Sequence, residues 1–262
     1  MLIAALDSAT LTLSCALVDV SPGAPPRVRR ERSEPAGQRS QGAAGGHGGR
    51  LPAALTDLLA LEGLTLPDVE GYAIGLGPGS FTGLRIGLAT WKGLAYGHRR
   101  PAAGVESLMA MALAAAPDAP AEALLVPLLD ARKGEVYAGF YRRAGEGPGV
   151  TRVAPDAALP PAELAARLAA LAAGAARGPA VAFGEGYAAY AAMLDGQVPR
   201  LATAVMTPGA AAVAALAAER LLGAAYDQQA LFSLEPHYVR KSEAEVKFPN
   251  GLGPGAVRGA AT

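Results

Sequence analysis

The sequence predicts a two-domain α/β protein. Three observations carry that expectation. The chain of 262 residues has room for one large domain or two modest ones, each with its own core. Short apolar runs closed by turn residues alternate with stretches in which leucine and alanine recur at helical spacing. Both halves open alike, with an apolar strand ending at an aspartate, a turn and a return strand; the aspartates are Asp7 and Asp130.

The elements follow in order. Residues 2–6 are apolar, residues 7–10 read Asp-Ser-Ala-Thr, and residues 11–18 alternate in part, which predicts a β-hairpin turning at 7–10. Residues 21–49 are rich in Pro, Gly, Arg and Ser, and read as an irregular strand followed by a flexible, Gly-rich loop. Leu51, Leu55, Leu58 and Leu59 repeat at helical spacing up to Glu62, and Gly63 ends that helix. A buried strand over 71–76 runs into the glycine loop 77–83. A second helix spans 84–96 and is closed by Gly97. In the second half a strand over 123–129 ends at Asp130, and residues 131–135 turn into a return strand over 136–141. A helix over 161–173, a strand over 180–183, a Gly-Glu-Gly turn and a further helix follow, and the last long helix is 208–222. Sequence identity between the halves is negligible, so the duplication rests on element order and on the paired aspartates. The expected division is 1–103 and 104–262, with a C-terminal tail able to pack back on the first lobe.

Composition narrows the function. The apolar fraction is 51%, but much of it is alanine in runs such as 112–116 and 210–218, which favours helix while adding little burial per residue. No stretch is long and apolar enough to span a membrane, and the N-terminus has no basic region before its first charge at Asp7. A single cysteine, Cys15, excludes an intrachain disulfide and sits in an apolar strand pattern. Together these features predict a cytoplasmic protein with no membrane association. The 23 basic and 23 acidic residues cancel, so the chain lacks the basic excess of a protein that grips nucleic acid alone.

Several constellations could carry chemistry. The turn at Asp7, Ser8 and Thr10 is a weak nucleotide candidate. With Ala9 in place of a glycine, close approach of its backbone to a phosphate is impaired, and a capped hairpin turn is the alternative. The loop Gly77-Pro78-Gly79-Ser80-Phe81-Thr82-Gly83 is neither a P-loop, a nucleophile elbow nor a dinucleotide fingerprint. It does place Ser80 or Thr82 as an N-cap. Gly83 and Gly87 bare one helix face, with Trp91 further along it, for tight packing within the domain or against a partner. Asp130 is either a kinase-type base or metal ligand, or a turn residue held by a local ion pair with Arg132. His47, His98 and His237 have no paired spacing and read as solvent-exposed, so no metal site is expected.

The duplicated hairpin-then-βα order resembles the actin-like ATPase (ASKHA) superfamily, whose two related lobes each carry a mixed sheet flanked by helices. More specifically, residues 71–88, with the glycine loop at their centre, are similar to the signature of the bacterial TsaB (YeaZ) family. Supporting matches are Leu6-Asp7-Ser8-Ala9-Thr10, Gly104-Val105-Glu106-Ser107-Leu108, residues 130–137 and Glu235-Pro236-His237-Tyr238-Val239-Arg240.

The resemblance implies a non-catalytic accessory subunit in formation of N6-threonylcarbamoyladenosine beside the tRNA anticodon. Its implied partners are the catalytic paralogue TsaD and the ATPase TsaE, with tRNA reached through the complex. It implies no catalytic residue and no required cofactor here, and admits ATP or ADP at the partner interface. The paralogue's His-x-x-x-His metal motif is broken, because Leu51 stands four residues after His47. The family's partner surface uses the first two helices, which places the expected interface on Leu51, Leu55, Leu58, Gly83, Gly87 and Trp91. The same surface could pair two copies as a homodimer. Residues 20–49 are longer and richer in glycine than the family leads one to expect. The competing expectation is a catalytic sugar or acyl kinase, or a transferase, of the same superfamily.

Overall fold

The computed structural model describes residues 1–35, 47–143, 149–174 and 178–240. The first lobe is a five-stranded sheet built from β1 (Leu2–Asp7), β2 (Thr12–Asp19), β3 (Arg27–Pro35), β4 (Gly71–Gly75) and β5 (Ala102–Val105) in the order β3-β2-β1-β4-β5. β1, β2 and β3 form an antiparallel meander, while β4 and β5 run parallel to β1. The second lobe repeats this plan. Its strands β6 (Leu124–Arg132), β7 (Glu135–Arg143), β8 (Val150–Leu159) and β9 (Ala180–Phe183) lie in the order β8-β7-β6-β9. β6 to β8 are an antiparallel meander and β9 is parallel to β6. An isolated parallel bridge from Ala182 to Arg200 occupies the place that β5 holds in the first sheet. The duplication is therefore visible in strand order and direction, and the fold is the doubled, helix-flanked α/β arrangement of the actin-like class.

Helices cover both faces of both sheets. α1 (His47–Leu61) and α2 (Phe81–His98) pack on one face of the first sheet, and α7 (Ala210–Leu221) on the other. α3 (Ser107–Ala115) covers one face of the second sheet, and α4 (Pro161–Gly174), α5 (Glu185–Ala189) and α6 (Ala191–Leu194) the opposite one. The two lobes exchange helices: α3 follows the first sheet yet packs on the second, and α7 follows the second sheet yet packs on the first. Ser14 fixes the return of α7, since its Oγ accepts from the Ala210 amide at 2.9 Å. α8 (Gln228–Ser233), capped by Asp227, then docks on α2.

Local chemistry explains the element ends. After α1, Leu64 donates to the Leu59 carbonyl and Gly63 to that of Ala60, with Gly63 at φ +67°, a Schellman stop that only glycine adopts without strain. α2 begins at Ser80, whose hydroxyl accepts from the Gly83 amide at 3.2 Å. It runs through Gly97, rather than stopping there, and ends at Arg99, which takes the left-handed cap at φ 51°. Cys15 is buried, and burial pushes its thiol up to about 12. No helix among the described residues is long and apolar enough to cross a membrane. Of the expected Gly-rich segment 21–49, residues 27–35 form β3 and 36–46 lie outside the described residues, as does the tail from 241 onward.

Candidate functional site

The two hairpin turns face each other across a cleft of about 510 Å³. Ala9, Thr10 and Leu11 enter it from the first turn and Gly79, Ser80 and Phe81 from the glycine loop. Leu129, Asp130, Ala131, Arg132 and Tyr137 line it from the second hairpin, Glu185 from the start of α5, and Tyr238 and Arg240 from the C-terminal segment. Residues distant in sequence thus meet because each lobe places its first hairpin at the same end of its sheet.

The inner side of the first turn is tied down. Asp7 is buried, and its carboxylate accepts from Ser107 Oγ at 2.6 Å and from the Ala9 amide at 2.8 Å. Burial pushes its pKa up to about 6 in spite of those two hydrogen bonds. Ser107 Oγ in turn accepts from the Gly77 amide at 3.0 Å, so the aspartate ties the turn to the glycine loop and to α3. Ser8 Oγ donates to the Gly83 carbonyl at 3.0 Å, and the Ser80 amide donates to the Ala9 carbonyl at 2.6 Å. A Cβ at Gly79 would overlap the Ala9 carbonyl, so nothing separates the two loops. Of the three nucleotide candidates, only Thr10 lines the cleft, and its hydroxyl already bonds Thr12 in both directions. Asp7 and Ser8 are turned inward as structural ties. At Ala9 both the amide and the carbonyl of this turn are taken up by the protein's own groups.

The second turn is held locally. Asp130 accepts from the Arg132 amide at 2.8 Å and pairs with the Arg132 guanidinium at 3.0 Å. That is the local ion pair which the turn-residue alternative expects, and the Tyr190 hydroxyl also donates to Asp130 at 3.3 Å. Glu185 stands opposite, its pKa raised by burial and by the Asp130 charge. Among the described residues no group of three or more His, Cys, Asp or Glu is gathered to hold a metal. Leu51, the residue that breaks the His-x-x-x-His spacing, is a fully buried core side chain.

The six residues expected on a partner surface are placed inside the first lobe. Leu51, Leu55, Leu58 and Trp91 belong to the core between α1, α2 and the sheet, each exposed by 1% or less. Trp91 donates its indole N–H to the Ala4 carbonyl at 3.2 Å and meets Tyr72 edge-on. Gly83 and Gly87 let α2 descend onto the first turn; a Cβ at Gly83 would overlap the Ser8 carbonyl, and one at Gly87 the Ser8 hydroxyl. The bare glycine face is therefore used within the domain, because the apolar period that builds a helix's core face is the same one that suggests a partner. The solvent face carries other residues. Among these are Ala53, Thr56, Asp57, Ala60 and Leu61 on α1 and Arg85, Ala89, Gly93, Tyr96 and Gly97 on α2.

His237 also departs from its expected exposure. Half-buried, it lies 3.4 Å from the buried Asp156 carboxylate. Sequence reasoning missed Phe81, Tyr137, Tyr238, Arg240 and Glu185 as cleft residues. The Tyr-Val-Arg run at 238–240 was the available signal, since it alternates an aromatic and a cation toward one side.

Comparison with known proteins gives a consistent outcome. The family model described as TsaD, tRNA N6-adenosine threonylcarbamoyltransferase, matches residues 37–248. The chain is 43% identical to the tRNA threonylcarbamoyladenosine biosynthesis protein TsaB of Escherichia coli (strain K12) over 101 residues, 38% of this chain and 43% of that protein. It is 35% identical to the TsaB protein of Bacillus subtilis (strain 168) over 96 residues, 37% of this chain and 41% of that one. The matched stretches thus span about two fifths of these relatives' own length. The solved structure of YeaZ from Pseudomonas aeruginosa superposes with a TM-score of 0.67 at 26% identity, covering 90% of this chain and 99% of that one.

Proposed function

The chain belongs to the TsaD, tRNA N6-adenosine threonylcarbamoyltransferase, family and within it to the TsaB/YeaZ group, and from that premise we propose that it is an accessory subunit rather than the transferase. In this reading it binds and activates a TsaD-like catalytic paralogue in the cytoplasm. The assembly, joined by a TsaE-like ATPase, installs threonylcarbamoyl on the adenosine next to the tRNA anticodon, and tRNA is engaged through the complex.

The observation that carries this reading is the first turn, tied down on its inner side by the chain's own groups. Asp7, Ser8 and the Ala9 carbonyl and amide are all satisfied by groups of this chain. A phosphate cradle is built from free backbone N–H groups, and here the Ala9 amide is already bonded to Asp7. The chain itself then requires no cofactor, and ATP or ADP belongs at the face shared with the partner. The docking face is the solvent side of α1 and α2. Ala53, Thr56, Ala60, Ala89, Gly93 and Gly97 are small and exposed there, and a Cβ at Gly93 or Gly97 would meet nothing within 4 Å. Small residues at a helix contact allow close backbone approach by a second pair, and Leu61, Arg85 and Tyr96 are exposed on the same two helices. Without the paralogue, two copies would pair through this face.

The test is reconstituted threonylcarbamoyl transfer to tRNA with the cognate paralogue, the ATPase and the synthase of the activated donor, with and without this chain. Product that depends on the chain, together with no ATP turnover by the chain alone, supports the proposal. Product that is indifferent to its omission, or ATP turnover by the isolated chain, moves the kinase or transferase alternative ahead.

A further inference from the structure

The motif Glu235-Pro236-His237-Tyr238-Val239-Arg240 has no role in the function proposed above. Its path crosses from one lobe to the other. On the first lobe, Leu231 of α8 is buried in the core beside α2, the Phe232 carbonyl accepts from Lys92 Nζ at 2.9 Å, and the Phe232 ring lies against Tyr96. The His237 amide then donates to the Leu76 carbonyl, just past β4, at 2.7 Å. Tyr238 stacks on Phe81 with ring centroids 5.5 Å apart, and its hydroxyl accepts from Arg85 Nε at 3.0 Å. On the second lobe, Val239 packs against the core and Arg240 pairs with Glu135 of β7 at 2.7 Å. Tyr238 and Arg240 are at the same time one wall of the cleft.

Midway along this path sits a buried polar pair. The irregular register of β7 and β8 around Gly139 brings Asp156 under the crossing segment, with its side chain fully buried. Tyr141 donates its hydroxyl to Asp156 Oδ1 at 2.7 Å. Asp156 Oδ2 and His237 Nε2 are both buried, neither has a close hydrogen-bond partner, and they face each other at 3.4 Å. The other charged and titratable groups around the imidazole are Arg152 of β8, Glu106 at the start of α3, which Arg152 contacts, and Tyr141 of β7. With the imidazole protonated, two carboxylates face two cations. With it neutral, one buried negative charge is left without compensation, which low dielectric makes costly.

We infer that residues 231–240 are a strap that fixes the two lobes to each other and shapes the cleft wall, and that His237 and Asp156 are its latch, closed by a proton on the imidazole. The sign follows from the partners. The Asp156 carboxylate holds the His237 pKa above its ordinary 6.5, against the opposing effect of burial. A raised histidine pKa means that the latch is complete below about pH 6.5 and is lost as pH rises through the raised value.

Amide exchange followed by NMR on the full chain at pH 6.0 and pH 8.5, corrected for the intrinsic rate, tests this. Protection of the His237 amide, relative to amides of β1, should fall with pH, by about tenfold for each unit that the pair adds to the His237 pKa. In His237→Gln the protection should be low and the same at both pH values. Titration of the His237 ring resonances gives a second reading that needs no variant, and should place its pKa above 6.5. Equal relative protection at both pH values in the unaltered chain, a pH-dependent loss that survives in His237→Gln, or a His237 pKa at or below 6.5 would overturn the latch.

Discussion

Replacing Asp7 by Asn should remove a pH dependence from the stability of the fold. Asp7 is a buried carboxyl at the end of β1, and burial raises its pKa to about 6 from the ordinary 3.8. Over that window the folded state holds a proton that the unfolded chain has released. Stability contributed by the neutral carboxyl is therefore full below about pH 3.8 and is lost as pH rises through 6. Two pH units at about 1.4 kcal/mol each amount to about 3 kcal/mol in total, of which roughly 1.4 kcal/mol is lost between pH 5 and pH 8. The amide substitute cannot titrate. It keeps one acceptor oxygen in place of two, so it forfeits one of the bonds from Ser107 and Ala9, worth about 1 kcal/mol at every pH. Urea unfolding of both proteins, followed by Trp91 fluorescence at pH 5, 6, 7 and 8, gives the difference in stability at each pH. That difference should move by roughly 1.4 kcal/mol in favour of Asp7→Asn across the series. A difference that stays flat from pH 5 to pH 8 would refute the argument, since it would mean that the folded carboxyl is charged throughout.

Two further perturbations separate core from docking face. Gly87→Arg should prevent folding, because any side chain there overlaps the Ser8 hydroxyl, and circular dichroism with size-exclusion chromatography would register the loss. Gly93→Arg meets open space, so the isolated chain should fold and gain up to about 1 kcal/mol in helix propensity. Its affinity for the paralogue should drop by about 100-fold or more, as an uncompensated charge buried at a contact costs roughly 3–5 kcal/mol; calorimetric titration that finds wild-type affinity would remove α2 from the interface. Leu55→Ala empties a fully buried site between α1 and the first sheet, and should lower unfolding free energy by about 2–5 kcal/mol in urea titrations.

Much of the fold was legible in the sequence because its signals are local. The hairpin turns at Asp7 and Asp130, the stop at Gly63 and the strand at 180–183 each depend on residues within a few positions of one another. The Asp130–Arg132 pair is local in the same way. β8 was not legible. Pro155 and Asp156 interrupt its alternation, and its pairing with β7 is irregular there, so only the partner strand defines it. The glycine face of α2 was read correctly as a face for close packing, but the helical period says only that such a face exists, not what lies across from it.

What the sequence by itself determined is the hairpin that opens each half, the helices over 51–62, 84–96, 161–173 and 208–222 to within a few residues, and the absence of a long apolar span. Only the tertiary structure decided that α2 descends onto the first hairpin at Ser8, that α3 and α7 are exchanged between the sheets, and that His237 meets Asp156. The physical reason is range. Turn chemistry and helix caps are settled among neighbouring residues, whereas the face a helix buries and the charge a side chain finds depend on which distant segment the whole chain packs against it.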